Sequence, residues 1–439
     1  MSHRTKVIFL AILLLLAARI DARAQRVLTL DSAVAIAVRN SHSIHSAELN
    51  SNLSGLALHE AELAYSPTIR YNLGASYAPT GRYFGYDPAL TNEGQLNAQL
   101  SVNAPLYNGD QFGLKQRQAS LDVLHSRTSL DITHEGLRFD VTQAFLDDLH
   151  AKQNISLERE SVTELTGYRD LVDRLFHGGT AAYTDLLKTQ VQLDQEQLAL
   201  EKAISDELQS RYTLAALLGS PGDTLFAVRG AYDSITVFSD ARFSLYDSLV
   251  TLSMALTQNE LAHAQLDIDL ARAQAKPTVS VNVDAGLLTS FANITAPPDE
   301  RFSMVGASAG ITVEGPFLDW DLNKVQVQEK EVAVQILQTE VDRQRRELTA
   351  QLTQLQSLLR SARERLAHIR DILKRAEDTY DLVKAKYAVG ASLASEVLDA
   401  LKQISDLKHS EVDALNDIET YRANAVHLIA QPKDNTNGK

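Results

Sequence analysis

Cysteine is absent from the 439-residue chain. That excludes disulfides, thiolate metal sites, a cysteine nucleophile and a lipid-bearing N-terminal cysteine. Proline is scarce, with 10 residues, and glycine modest, with 20, against 44% hydrophobic residues. This balance excludes collagen-like and disordered chains. A basic excess is also missing: 42 Lys and Arg face 56 Asp and Glu, for a net charge of −14. Nucleic acid is therefore not an expected partner. Past the first twenty or so residues no apolar run reaches the ~18 residues of a membrane helix, which excludes a polytopic helical membrane protein. Phosphate-loop, dinucleotide and zinc-protease patterns are all absent, so neither an enzyme nor a cofactor is expected.

What is present begins with an export signal. Arg4 and Lys6 precede a twelve-residue apolar run, Val7 to Ala18, and Ala22-Arg23-Ala24 has the small-x-small form of a cleavage site. Residues 1–24 read as a signal peptide. The alternative, a retained anchor, is disfavoured because the run falls short of the ~20 residues a span needs. The expected mature chain carries 38 basic and 55 acidic residues, a net −17.

The rest is an internal repeat. Pro105 and Pro221 stand 116 residues apart, as do Pro316 and Pro432, and Gly179 and Gly390 each follow the first proline of their pair by 74 residues. A single long period means one unit used twice rather than a solenoid. The repeats read as 25–221 and 244–432, with an equatorial inter-repeat segment at 222–243 and a tail at 433–439.

Each repeat holds two stretches of strict alternation, expected as strands over 68–78, 95–105, 278–288 and 302–314. In the first, Ile69, Tyr71, Leu73, Ala75 and Tyr77 alternate with Thr68, Arg70, Asn72, Gly74 and Ser76. Period two over about ten residues suits a tilted membrane strand. A soluble sandwich with one wet face shows the same period. Four strands divided by some 170 residues of helix make a poor sandwich, however, and an open edge in lipid leaves backbone groups unpaired. The membrane reading thus requires several chains, and three would supply twelve strands.

Long helices follow the strands, expected over 110–176 and 319–388, with return helices over 184–218 and 396–430. Two shorter helices, near 31–64 and 244–275, precede the strands. From Phe317 to Gln431 there is no proline and one glycine. An unbroken apolar heptad register runs from Leu348 through Leu352, Leu359, Leu366 and Leu373 to Tyr387, a coiled-coil pattern. The register of the first repeat, Leu137 to Phe176, is interrupted by Asp148, Glu158 and Arg169. Gly179 and Gly390 mark the reversals. The expected class is mainly α with a small β part.

The order of short helix, two strands, long helix, glycine turn and short helix, used twice, resembles the TolC family of outer-membrane efflux proteins over essentially the whole mature chain. The most specific residues are the two turns, Phe176 to Leu187 and Tyr387 to Ala400, which share a Gly-x-x-x-x-[TS]-[DE]-[VL]-[LQ] pattern. The resemblance implies a homotrimer with a twelve-stranded β-barrel in the lipid of a Gram-negative-type outer membrane. It implies an antiparallel coiled-coil α-barrel forming a periplasmic tunnel. It further implies a periplasmic adaptor protein and an inner-membrane pump of the RND, ABC or MFS type as partners. The function implied is a passive duct of a tripartite efflux or type I secretion system.

By the same resemblance, Glu396 and Asp399 match an acidic ring at the tunnel mouth. Asp185, Thr184, Tyr387 and Ser392 match possible gate contacts, and Gly179 and Gly390 the adaptor-facing tip. Ser392 stands where the family's type member has a basic residue, so a gate here would rest on weaker hydrogen bonds. The alternative for Glu396 and Asp399 is a solvated helix start, where acids are favoured by the dipole. Histidines 42 and 45 read as surface residues, and Asp147-Asp148 as a solvated acidic pair. Trp320 reads as part of a packed junction or of an aromatic belt, the junction being favoured. For the whole chain, the remaining alternative is an exported coiled-coil spacer or adhesin without channel activity.

Overall fold

The computed structural model describes residues 26–77, 94–222, 224–230, 232, 251–290 and 303–432. The expected signal peptide, the 79–93 loop, most of 222–243 and the 433–439 tail lie outside them. The elements in chain order are β1 (Arg26–Leu28), α1 (Leu30–Asn40), α2 (His42–Leu63), β2 (Thr68–Tyr77), β3 (Gly94–Asn108), α3 (Gln111–His177), α4 (Tyr183–Leu217), β4 (Phe226–Val228), α5 (Leu252–Gln274), β5 (Thr278–Ser290), β6 (Ser303–Glu314), α6 (Leu322–Ala388) and α7 (Ala394–Leu428). Helices dominate, with a small sheet part. α3 and α6 are each 67 residues long, and α4 and α7 each 35. Corresponding helix ends in the two repeats are 211 residues apart. No helix among the described residues is long and apolar enough to cross a membrane.

Two compact units emerge. One gathers Met1–Ser46, Leu130–Leu252 and Arg345–Lys439; the other gathers Ala47–Ser129 and Ser253–Gln344.

In the first unit the heptad register of α6 is the packing seam. Leu352, Leu359, Ala362, Leu366 and Ile369 bury against Ala414, Ile418 and Ala425 of α7. Small residues on α7 let the helices approach while leucines from α6 fill the gap, the knobs-into-holes geometry of a 3.5-residue repeat. Arginines flank the seam: Arg370 Nε donates to Glu411 at 2.7 Å, and Arg365 pairs with Asp417. A second core joins α1, α3 and α4 around a three-residue parallel ladder of β1 with β4. A ladder this short has no sequence period, and the sequence gives no sign of it.

Three expectations change here. The helix expected near 31–64 is two helices broken at Ser41, which is extended at φ −73°, ψ 121°. Ser41 Oγ accepts from the Ile44 amide at 3.3 Å, and Asn40 Nδ2 donates to the Leu218 carbonyl at 2.8 Å. Short polar side chains thus satisfy backbone groups that a continuous helix would use. Asp148 is not solvated: only 1% of it is exposed, and Ser210 Oγ donates to its carboxylate at 3.0 Å. Burial raises its pKa, while that hydrogen bond and the charges of Arg211 and Lys152 hold it down. Its neighbour Asp147 does lie on the exposed side. Arg169 is likewise no break in the seam, because the adjacent Tyr168 fills that place.

The second unit holds the antiparallel sheet β2-β3-β5-β6. Its register sorts side chains into rows that cross all four strands. Ile69–Val102–Val283–Ala309, Tyr71–Leu100–Ala285–Ala307 and Leu73–Ala98–Leu287–Val305 are apolar. The rows between them are polar or glycine, for example Thr68–Asn103–Asn282–Gly310. The apolar face is uncovered: Tyr71 and Val305 are each 80% exposed. β2 and β6 are the edges, each paired on one side only among the described residues.

The strands pass into the long helices through paired left-handed residues, Gly109-Asp110 before α3 and Trp320-Asp321 before α6. Lys276 Nζ donates to Asp110 at 2.6 Å, fixing the first junction. Trp320 corrects the favoured reading of a packed junction: it stands 85% exposed at φ 53°. Ahead of α6, Asp319 Oδ2 accepts from the Asn323 amide at 3.3 Å.

Leu359 lies at the centre of the α6–α7 seam, 3% exposed. Leu359→Asp removes a buried leucine and strands a carboxyl there, at a cost of at least about 3 kcal/mol. The expected outcome is loss of heat-resistant, folded protein by circular dichroism. Wild-type melting of the variant would mean that the register is wrong.

Candidate functional site

The expected site residues lie at the two helix reversals, and both reversals are built the same way. Gly179 and Gly390 adopt φ of 77° and 74°. The Gly179 and Thr180 amides donate to the Phe176 and Leu175 carbonyls, both at 2.9 Å. The Gly390 and Ala391 amides donate to the Tyr387 and Lys386 carbonyls at 3.0 and 2.9 Å. Each pair consumes carbonyls left open by a helix end, and a residue with a Cβ would pay ~1–2 kcal/mol for that conformation.

Next to the turns one core gathers α3, α4, α6 and α7. Leu165, Tyr168 and Val172 of α3, Leu193 of α4, Tyr380 and Tyr387 of α6, and Ala394, Val397 and Leu401 of α7 are its centre. The Tyr168 and Tyr387 rings stand 5.7 Å apart at 55°. Tyr168 Oη donates to the Ala394 carbonyl at 3.2 Å, tying α3 to the first turn of α7. The Tyr387 hydroxyl is buried and has no hydrogen-bond partner among the described residues. Burial raises the pKa of both phenols. The nearby Asp185 carboxylate adds to the rise in each case, and for Tyr168 the Tyr387 hydroxyl contributes more than Asp185 does.

The structure therefore brings Asp185 and Tyr387 together, with Tyr168 as a third member that sequence reasoning missed. Its only sequence signal is its place beside Arg169, where the register has a polar interruption. Thr184 is exposed at the start of α4. Ser392 is engaged inside its own turn, where its hydroxyl donates to the Glu396 carboxylate. Glu396 and Asp399 are both exposed, while Val397 and Ala400 between and beside them are buried. Their spacing of three places both acids on the solvent side of α7. At the positions equivalent to Glu396 and Asp399, the first repeat carries Asp185 and Lys188, so the doubly acidic step belongs to the second repeat alone.

Similar geometry occurs in solved structures. CusC, whose structures follow conformational changes accompanying folding and transmembrane channel formation, superposes with a TM-score of 0.79 at 15% identity over 92% of each chain. A membrane protein from Pseudomonas aeruginosa gives 0.78 at 16% identity, covering 95% of this chain and 92% of that one. The outer membrane protein VceC from Vibrio cholerae gives 0.77 at 12% identity, over 92% of this chain and 96% of its own. At these identities the likeness defines the fold, that of the TolC-like outer-membrane channels. No curated protein matches the chain by sequence. The family model of the outer membrane efflux proteins matches residues 33–220 and 251–429, and the chain belongs to that family.

The two tyrosines give a pH test. Both phenols have their pKa raised above the ordinary value of 10.0. Their contribution is therefore fully present below pH 10 and is lost as pH rises above it, because the unfolded chain ionises there and the folded core resists. Thermal unfolding of the wild type is expected to weaken steeply above pH 10. Tyr168→Phe/Tyr387→Phe is expected to flatten that decline. At pH 7, Tyr168→Phe costs about 1 kcal/mol for the lost bond to Ala394, whereas Tyr387→Phe costs nothing or stabilises. An alkaline decline as steep in the double variant as in the wild type would remove the tyrosines as its cause.

Proposed function

We propose that the protein is the outer-membrane duct of a tripartite efflux or type I secretion system in a Gram-negative-type envelope. The observation that carries this reading is the sheet: four strands with one apolar, uncovered face and two open edges. In lipid, an apolar face needs no cover, but unpaired strand edges cost several kcal/mol per backbone group. Pairing β2 of one copy with β6 of the next removes every edge once the ring closes. Three copies make a twelve-stranded barrel, an even number within the range of outer-membrane barrels.

In this reading the signal peptide, residues 1–24, is removed, and the two repeats, 25–221 and 244–432, flank the equatorial segment 222–243. The paired helices line a periplasmic passage that ends at Gly179 and Gly390. That end meets a periplasmic adaptor and, through it, an inner-membrane pump of the RND, ABC or MFS type, which supplies the energy. The duct itself is passive. Near the turns, Asp185, Thr184, Tyr387 and Ser392 act in closure, and three copies of Glu396 and Asp399 put six carboxylates at the mouth. Such a ring attracts cations and repels anions.

Crosslinking in native membranes tests the assembly, with trimers expected. Only monomers and dimers, or release of the protein by carbonate wash, would favour a peripheral coiled-coil spacer instead.

In planar bilayers at low salt, where screening is least, Glu396→Ala/Asp399→Ala is expected to lower cation selectivity and weaken block by multivalent cations. Helix content should hold, because alanine is the best helix former and both positions are exposed. Unchanged selectivity and unchanged block would mean that these acids serve only the start of α7.

A further inference from the structure

Charge is almost missing from the sheet. Across the described residues of β2, β3, β5 and β6 the charged side chains are Arg70, Asp284 and Glu314, and Glu314 ends β6 opposite Thr278, at the margin of the ladder. The other two share one row. Arg70 pairs with Ser101, Ser101 with Asp284, and Asp284 with Ser308. Residues in register across a sheet point to the same face, so one cation and one anion share a row of the polar face. They are two strands apart, about 10 Å at ~4.8 Å per strand. Neither neutralises the other by contact. Arg70 is exposed and has no ion-pair partner among the described residues, and Asp284 accepts from Gln99 Nε2 at 3.2 Å. The adjoining rows are neutral: Thr68–Asn103–Asn282–Gly310 on one side and Asn72–Gln99–Gly286–Gly306 on the other.

We propose that Arg70 and Asp284 form two adjoining rings of opposite, mutually cancelling charge inside the barrel, a paired ring which passes anionic, cationic and zwitterionic solutes alike and leaves selection by sign to other parts of the duct. This rests on the channel reading above. Strands tilted by ~40° carry this row obliquely up the wall, so closing three sheets puts three Arg70 at one height and three Asp284 about 6 Å further along the axis, as two adjoining rings of opposite charge. A twelve-stranded barrel with strands tilted by ~40° has a backbone radius of about 12 Å. Side chains pointing inward reduce the free radius to less than the ~10 Å Debye length at 0.1 M salt. A net charge of three on this row would therefore be felt across the whole lumen. The wild-type ring has none, although the chain as a whole is acidic at −14.

The test uses the full-length protein in planar bilayers under a KCl gradient, with Glu396→Ala/Asp399→Ala as the parent so that the mouth does not mask the barrel. Arg70→Gln leaves three unbalanced carboxylates and is expected to raise the cation-to-anion permeability ratio at least about twofold at 0.1 M salt. Asp284→Asn is expected to lower it by a similar factor. Arg70→Gln/Asp284→Asn should return to the parent value, and Arg70→Lys should stay there. Both single shifts should shrink at 1 M salt, where the Debye length is ~3 Å. The two singles carry opposite signs, so either one alone tests the ring if the other fails to assemble. A conducting parent whose selectivity neither single moves, or both move in one direction, overturns the ring and leaves the channel reading standing. A parent that forms no pore overturns the channel reading and the ring with it.

Discussion

The structure depends on a burial problem that a 67-residue helix cannot solve alone. At 1.5 Å per residue such a helix runs about 100 Å, and its apolar stripe needs a partner along that length. α7 supplies one for the part of α6 that follows residue 345, offering Ala414, Ile418 and Ala425 to the leucines of α6. The partner must run antiparallel and start immediately, which is what a left-handed glycine permits. Gly390 and Gly179 are thus conditions of the packing rather than ornaments of the turn.

The same constraint shapes the tip. Four helices converge beside the reversals, and their shared core is closed by tyrosines, larger and more polar than the leucines of the seam. Tyr168 uses its hydroxyl on a carbonyl of α7, while the hydroxyl of Tyr387 has no hydrogen-bond partner among the described residues. A buried donor left unmatched costs ~1–3 kcal/mol. This cost falls beside Asp185, at the end of the molecule where the mouth of the duct is proposed. The acids on the outer side of α7, Glu396 and Asp399, take no part in that core and are free to face solvent.

The sheet meets the opposite requirement. Its helices bury apolar residues, whereas its strands expose them in whole rows, from Ile69 and Tyr71 on one edge to Val305 on the other. One chain thus pairs helices that bury their apolar residues with a sheet that leaves an apolar face exposed. The family model of the outer membrane efflux proteins, to which the chain belongs, matches both repeats, over residues 33–220 and 251–429.

The sequence by itself determined the class of the fold, because periods of two and of 3.5 residues follow directly from strand and helix geometry and survive any packing. It also determined the seam: every position of the Leu348–Tyr387 register is buried or half-buried. Only the tertiary structure decided the fate of isolated polar and aromatic residues, whose burial depends on what another element brings to them. Asp148 is inside because Ser210 meets it there. Tyr168 displaces Arg169 from the seam because the Ala394 carbonyl accepts its proton. Trp320 is outside, on the left-handed turn that precedes α6. The ladder of β1 with β4 joins segments some 200 residues apart through three residues each, too few for any period to announce. Strand register was also beyond reach, since a shift of two residues preserves every face. Yet register alone puts Arg70 and Asp284 on one row.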